Sequence, residues 1–202
     1  MKSMLKDALI LFVITVVAGV LLGVVYQITK EPIRVQEELA KSNACAQVFN
    51  DAVKFTPLSE INSEIPVEYK VSEYPAESIG NCLVAYSDSD EALGYVITVT
   101  TSEGYGGDIT FMMGVRNDGT LNGISILSIS ETAGLGMQAE DVLVPQFADK
   151  NVEIFTYTKN GSTSDSEVDA ISGATITTNA ITNGVNAGLS YFREFLFEEG
   201  GE

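Results

Sequence analysis

Apolar and polar positions change period along this chain, and each period predicts an element. Residues 8–28, A-L-I-L-F-V-I-T-V-V-A-G-V-L-L-G-V-V-Y-Q-I, carry no charge. As a helix rising about 1.5 Å per residue, the run covers roughly 31 Å, the thickness of a bilayer's hydrocarbon core. It is longer than the roughly 7–15 apolar residues of a signal peptide, and no A-x-A-like site follows it, so it predicts a retained anchor. Pro32 then suits the first turn of a new helix. Ile33, Leu39, Ala40, Val48, Phe49 and Val53 recur among charges at three- and four-residue spacings, which predicts an amphipathic connecting helix over 31–55. Residues 56–80 mix proline and acidic side chains without a period and read as loop.

Strand patterns follow. Cys82–Tyr86 and Leu93–Thr101 are runs rich in β-branched and aromatic residues. Ile109, Phe111, Met113 and Val115 alternate with Thr110, Met112, Gly114 and Arg116, the period of a half-buried strand. Asn117-Asp118-Gly119 marks a tight hairpin into 123–129. Asn160-Gly161 signals a second hairpin, between 152–158 and 167–171. Ala180, Ile181, Gly184, Val185, Gly188, Leu189, Phe192 and Phe195 form one face of a C-terminal helix. Antiparallel sheet with flanking helices predicts an α+β domain behind a single transmembrane helix.

Charge adds a direction and an exclusion. Residues 31–202 hold 8 basic and 27 acidic side chains, which repels nucleic-acid backbones. Lys2 and Lys6 before the anchor favour a cytoplasmic N-terminus and place the acidic domain outside the cytoplasm. There is no histidine, which removes Ser-His-Asp and Cys-His catalysis and the usual zinc sites. Two cysteines, Cys45 and Cys82, are too few for a four-thiolate iron–sulfur cluster, and the sequence leaves a disulfide or two free thiols equally open. Redox chemistry in this chain therefore requires an added cofactor. Within the anchor, Thr15, Gly19 and Gly23 form a ladder of small residues that lets another membrane helix approach.

Three stretches are candidates for holding that cofactor. Glu103-Gly104-Tyr105-Gly106-Gly107-Asp108 and Ser130-Glu131-Thr132-Ala133-Gly134-Leu135-Gly136 each follow a strand, and their glycines permit tight turns and close backbone approach. Neither is a Walker loop or a dinucleotide fingerprint. The third is Asp169-Ala170-Ile171-Ser172-Gly173-Ala174-Thr175, just before the last helix. Its hydroxyl-rich continuation has two readings: Thr177 or Thr178 is a helix cap, or the helix N-terminus receives a phosphate.

D-A-I-S-G-A-T resembles the D-x-x-S/T-G-A-T flavinylation signature, in which the final threonine carries FMN through a phosphoester. S-E-T-A-G-L-G resembles the E-T-P-G-L-G loop of the same FMN-binding domains, with Ala133 in place of proline, and G-Y-G-G resembles their glycine-aromatic turn. Their order behind one anchor resembles the G subunit of the Rnf complex, a relative of the C subunit of the sodium-translocating NADH:quinone reductase. The resemblance implies covalent FMN on Thr175, with Ser172, Gly173 and Ala174 shaping the phosphate turn. It places Glu131, Thr132, Leu135 and Gly136 along the ring, with Tyr105 packed against it. It further implies a stub and transmembrane helix at 1–30, a connecting helix at 31–55 and an extracytoplasmic FMN-binding domain at 56–202. The implied function is an electron-carrying subunit, matured by a flavin transferase, of a membrane complex that couples ferredoxin:NAD electron transfer to sodium or proton translocation. A stand-alone flavin reductase and a non-enzymatic tethered binding module are the alternatives.

Overall fold

A computed structural model describes residues 2–66 and 68–197 of the chain. Met1, Val67 and residues 198–202, which fall within the expected segments, lie outside the described residues. The first element, α1, is a helix over Lys2–Val48. It continues through Pro32, where the sequence predicts a fresh start. Good helix formers flank the proline, and Arg34 pairs across it with Glu31 at 3.0 Å and onward along the helix with Glu38 at 2.8 Å. The connecting helix expected to reach residue 55 therefore ends at Val48. Residues 6–48 contain a stretch long and apolar enough to cross a membrane. Its two threonine hydroxyls are satisfied inside the helix: Thr15 donates to the Leu11 carbonyl and Thr29 to that of Val25.

The chain divides into two compact units at Lys41/Ser42. The second is built on a five-stranded antiparallel meander: β1 (Lys54–Pro57), β2 (Glu77–Tyr86), β3 (Ala92–Thr101), β4 (Ile109–Arg116) and β5 (Leu121–Ser128), in that order across the sheet. β1 and the short helix α2 (Leu58–Ile61) occupy part of the segment read as loop. K-F-T-P has no alternation of its own. It becomes a strand because Phe55 and Thr56 pair with Ala85 and Val84 of β2.

A second correction concerns β4. Both of its faces are buried, not one. Phe111, Met113 and Val115 belong to the core shared with Ile181, Val185, Leu189 and Phe192 of the C-terminal helix, α4 (Thr175–Phe195). Met112, with Val96 and Ala85, belongs to a smaller core on Ala44, Cys45, Val48 and Phe49. Each large side chain so buried contributes about 1.5–3 kcal/mol. Cys82 lies in the first core and Cys45 in the second, and both are free thiols. Burial raises both thiol pKa values, that of Cys82 to about 12.

Between β5 and α4 lie a short helix α3 (Ala139–Val142) and two strands, β6 (Thr156–Thr158) and β7 (Glu167–Asp169). These strands pair in parallel, so the hairpin expected at Asn160-Gly161 does not form. The Glu167 carboxylate instead takes the Thr163 backbone N–H at 2.9 Å and its hydroxyl at 2.8 Å, holding a wide loop open. Asp169 likewise accepts the Ser162 N–H at 2.6 Å. The chain thus returns to run beside β6 in the same direction and feeds straight into α4.

Candidate functional site

The meander places the 102–108 loop and the segment after β5 at the same end of the sheet. α4 begins there too, and two carboxylates fasten the loops to it. Glu131 accepts the Gly106 N–H on Oε1 at 3.1 Å and the Thr177 hydroxyl on Oε2 at 2.9 Å. Glu103 accepts the side-chain amides of Asn183 at 2.7 Å and Asn179 at 3.2 Å. All three stretches singled out in the sequence therefore meet around the first turns of α4. The link from Glu103, in one of those stretches, to Asn179 and Asn183 was not expected, because it joins residues far apart in the chain.

The turn into α4 is held on its near side. Gln146 bonds both main-chain groups of Asp169, accepting its N–H at 2.7 Å and donating to its carbonyl at 3.1 Å. The Ala170 N–H donates to the Thr158 carbonyl at 2.8 Å, and Ile171 is buried. Gly173 then turns the chain at φ 77°, a left-handed conformation that suits glycine. The N-cap position falls on Ala174, which offers no capping side chain. The first N–H groups of α4 are consequently left uncapped at a helix end that carries partial positive charge.

The hydroxyls of this segment are in three different states. Thr177 is 1% exposed and committed to Glu131. Thr178 is fully buried; it accepts the Ile171 N–H at 3.1 Å and donates to the Ala174 carbonyl at 3.0 Å. Neither caps the helix N-terminus as the capping reading expects. Thr175 is half-buried and makes no side-chain hydrogen bond among the described residues.

Thr175 lines a cleft of 530 Å³ together with Tyr105, Glu131, Thr132, Leu135, Gly136, Gly173, Ala174, Ile176 and Thr177. Eight of the nine residues expected at the site are therefore in one cavity. Ser172 is the ninth; it is exposed on the turn and is not part of the lining. Ile176 and Thr177 were missed. Ile176 had a visible signal, since a lone apolar residue in T-I-T-T-N is 53% exposed here and faces the cleft. Tyr105, at 71%, and Leu135 complete the apolar wall.

The chemistry of this donor set fits FMN. Uncapped N–H groups receive an anion, a free hydroxyl stands beside them, and three exposed apolar side chains offer a planar ring a surface.

The comparisons with known proteins agree with that fit. The sequence family described as the FMN-binding domain matches residues 104–190, and the RnfG N-terminal region matches residues 1–48. Two solved structures share the fold. The NqrC of Shewanella oneidensis superposes with a TM-score of 0.52 at 19% identity, covering 73% of this chain and 71% of that one. The C subunit of the Na⁺-translocating NADH-quinone reductase of Parabacteroides distasonis gives 0.51 at 23%, covering 61% and 65%. Fold and site together define an FMN-binding domain carried behind an N-terminal helix.

Full-length relatives narrow the class. The G subunit of the Na⁺-translocating ferredoxin:NAD⁺ oxidoreductase complex of Acetobacterium woodii is 31% identical over 95% of this chain and 93% of its own length. The G subunit of the proton-translocating complex of Clostridium ljungdahlii is 32% identical over 89% and 86%. The chain belongs to the family of G subunits of ion-translocating ferredoxin:NAD⁺ oxidoreductase complexes, the Rnf type.

Proposed function

We propose that this chain is the electron-carrying G subunit of an Rnf-type membrane complex and holds one FMN by a phosphoester to Thr175, installed by a flavin transferase. The complex couples electron transfer between ferredoxin and NAD to translocation of sodium or protons. The observation that carries the site assignment is the state of Thr175: among the threonines that open α4 its hydroxyl alone is unengaged, and, unlike the exposed Ser172, it lines the cleft at the uncapped start of the helix. FMN supplies the redox chemistry, and the protein supplies position and electrostatics. The α4 N-terminus receives the phosphate, while Tyr105, Leu135 and Ile176 flank the ring. The relatives are named for different ions, so both remain within the reading.

Produced together with a flavin transferase, the parent chain keeps flavin fluorescence in a denaturing gel. Thr175→Ala loses it, whereas Thr177→Ala and Thr178→Ala retain it. Covalent flavin persisting in Thr175→Ala refutes the assignment. The same reading places residues 31–202 outside the cytoplasm, following the lysines that precede the anchor. A reporter active only in the cytoplasm, fused after Glu202, stays silent if that is right; a strong signal reverses the topology.

A further inference from the structure

Glu131 is the single charged residue between Asp118 and Glu140. Its carboxylate sits where three segments meet, with one oxygen on the Gly106 N–H and the other on the Thr177 hydroxyl. The slot it occupies exists only because two neighbours lack side chains. A Cβ at Gly104 would lie 2.9 Å from Oε1, and one at Gly136 would lie 2.8 Å from Oε2 and 2.5 Å from the Thr177 hydroxyl oxygen. Gly106 is similarly pressed on this segment, its Cβ position falling 1.9 Å from the Ser130 carbonyl oxygen. Glycine at 104, 106 and 136 is thus required to bring the loops onto Glu131 as well as to leave backbone open to a ligand.

We propose that Glu131 is a positioning residue for the flavin: it pins the loop bearing Tyr105 and the segment bearing Leu135 to the first turn of α4, and it keeps the Thr177 hydroxyl engaged. This rests on the reading of the cleft as the FMN site. Two hydrogen bonds to a carboxylate set the register of the apolar wall against Thr175, the proposed attachment point. Without them, the Tyr105 loop keeps its Glu103 bonds to Asn179 and Asn183 of α4 but loses its side-chain-mediated tie to the 131–136 segment, the one next to Tyr105 itself. The geometry, rather than the charge, is what matters. A glutamine at 131 accepts the Gly106 N–H through its carbonyl oxygen and donates its amide to the Thr177 oxygen, so it reproduces both contacts without charge.

The test uses the full chain with and without a co-expressed flavin transferase. Glu131→Ala is expected to keep flavin on Thr175, because the signature turn is untouched, but to lose at least half of the flavin's visible circular dichroism. In the flavin-free chain, exchange of the Gly106 amide rises roughly tenfold, the factor carried by loss of a charge-assisted hydrogen bond. Glu131→Gln restores both signals. Exchange in β3 and β4 reports whether the fold survives; if Glu131→Ala does not fold, Thr177→Val, which removes one partner of the same carboxylate, should reproduce the loss of dichroism in part. Parent-like dichroism and exchange in Glu131→Ala overturn the proposal, as does a folded Glu131→Gln that behaves like Glu131→Ala. Absence of flavin from Thr175 in the parent defeats the site reading instead, and the exchange arm still decides whether Glu131 holds the loop.

Discussion

Gly184 and Gly188 of α4 face the sheet so closely that a methyl group on the first would lie 2.9 Å from the Phe111 ring, and one on the second 2.1 Å from the Met113 sulfur. Gly19 and Gly23 of α1 have the same four-residue spacing, and nothing lies within 4 Å of either Cβ position. Both helices are rich in apolar residues. In α4 those residues, Ile176 apart, lie on one face and are covered, whereas in the 8–28 stretch of α1 they surround the helix and are exposed. The spacing therefore does not reveal its own use. In α4 the small residues serve packing within the domain, and in α1 they remain available to lipid or to another membrane helix.

The largest expected effect comes from filling the covered ladder. Gly184→Leu with Gly188→Leu should destabilise the domain by about 1–3 kcal/mol at each site, because the core there has no spare volume. The urea midpoint of the full chain in detergent measures this, and an unchanged midpoint means α4 does not sit this close to β4. Filling the open ladder should act elsewhere. Gly19→Leu with Gly23→Leu should leave membrane insertion intact and domain stability within about 0.5 kcal/mol, while weakening co-purification of the other proteins of the complex. Their retention at parent levels would show that the α1 ladder is not an interface.

The smallest effect is a pH dependence at Glu77, a buried carboxyl on β2 that accepts the Thr101 hydroxyl at 3.1 Å. Burial raises its pKa above the usual 4.5, and the nearby charge of Glu103, which holds α4, adds to the rise. A carboxyl raised in the folded state contributes stability that is complete below its unfolded pKa and is lost as pH climbs through the folded one. Glu77→Gln should therefore gain stability over the parent above that range and match it in acid. A stability difference that does not change with pH would mean that the substitution acts through packing alone.

What was legible in the sequence depended on how local its cause was. The alternation Ile109–Arg116 located β4 to the residue, and Asn117-Asp118-Gly119 located its hairpin, since both signals lie within a few residues. The second burial of β4 was hidden, because it depends on Phe49 and Cys45 arriving from the end of α1. β1 was invisible for the same reason: its pairing with β2 supplies what K-F-T-P lacks. Asn160-Gly161 misled because carboxylates at 167 and 169 hold the following loop open and outweigh the turn propensity. At the site, short motifs identified the lining residues, but the ties that assemble them were not in any motif. Glu131 to Thr177 spans 46 positions and Glu103 to Asn183 spans 80.

The separation of the two cysteines between opposite faces of the sheet has a consequence for an electron carrier. No disulfide can form without dismantling the sheet between them, and burial disfavours the thiolate that would begin any exchange at either position. The domain's fold is thus indifferent to whether its compartment is oxidising or reducing. If the cleft holds the flavin as proposed, no sulfur couple among the described residues competes with it for electrons.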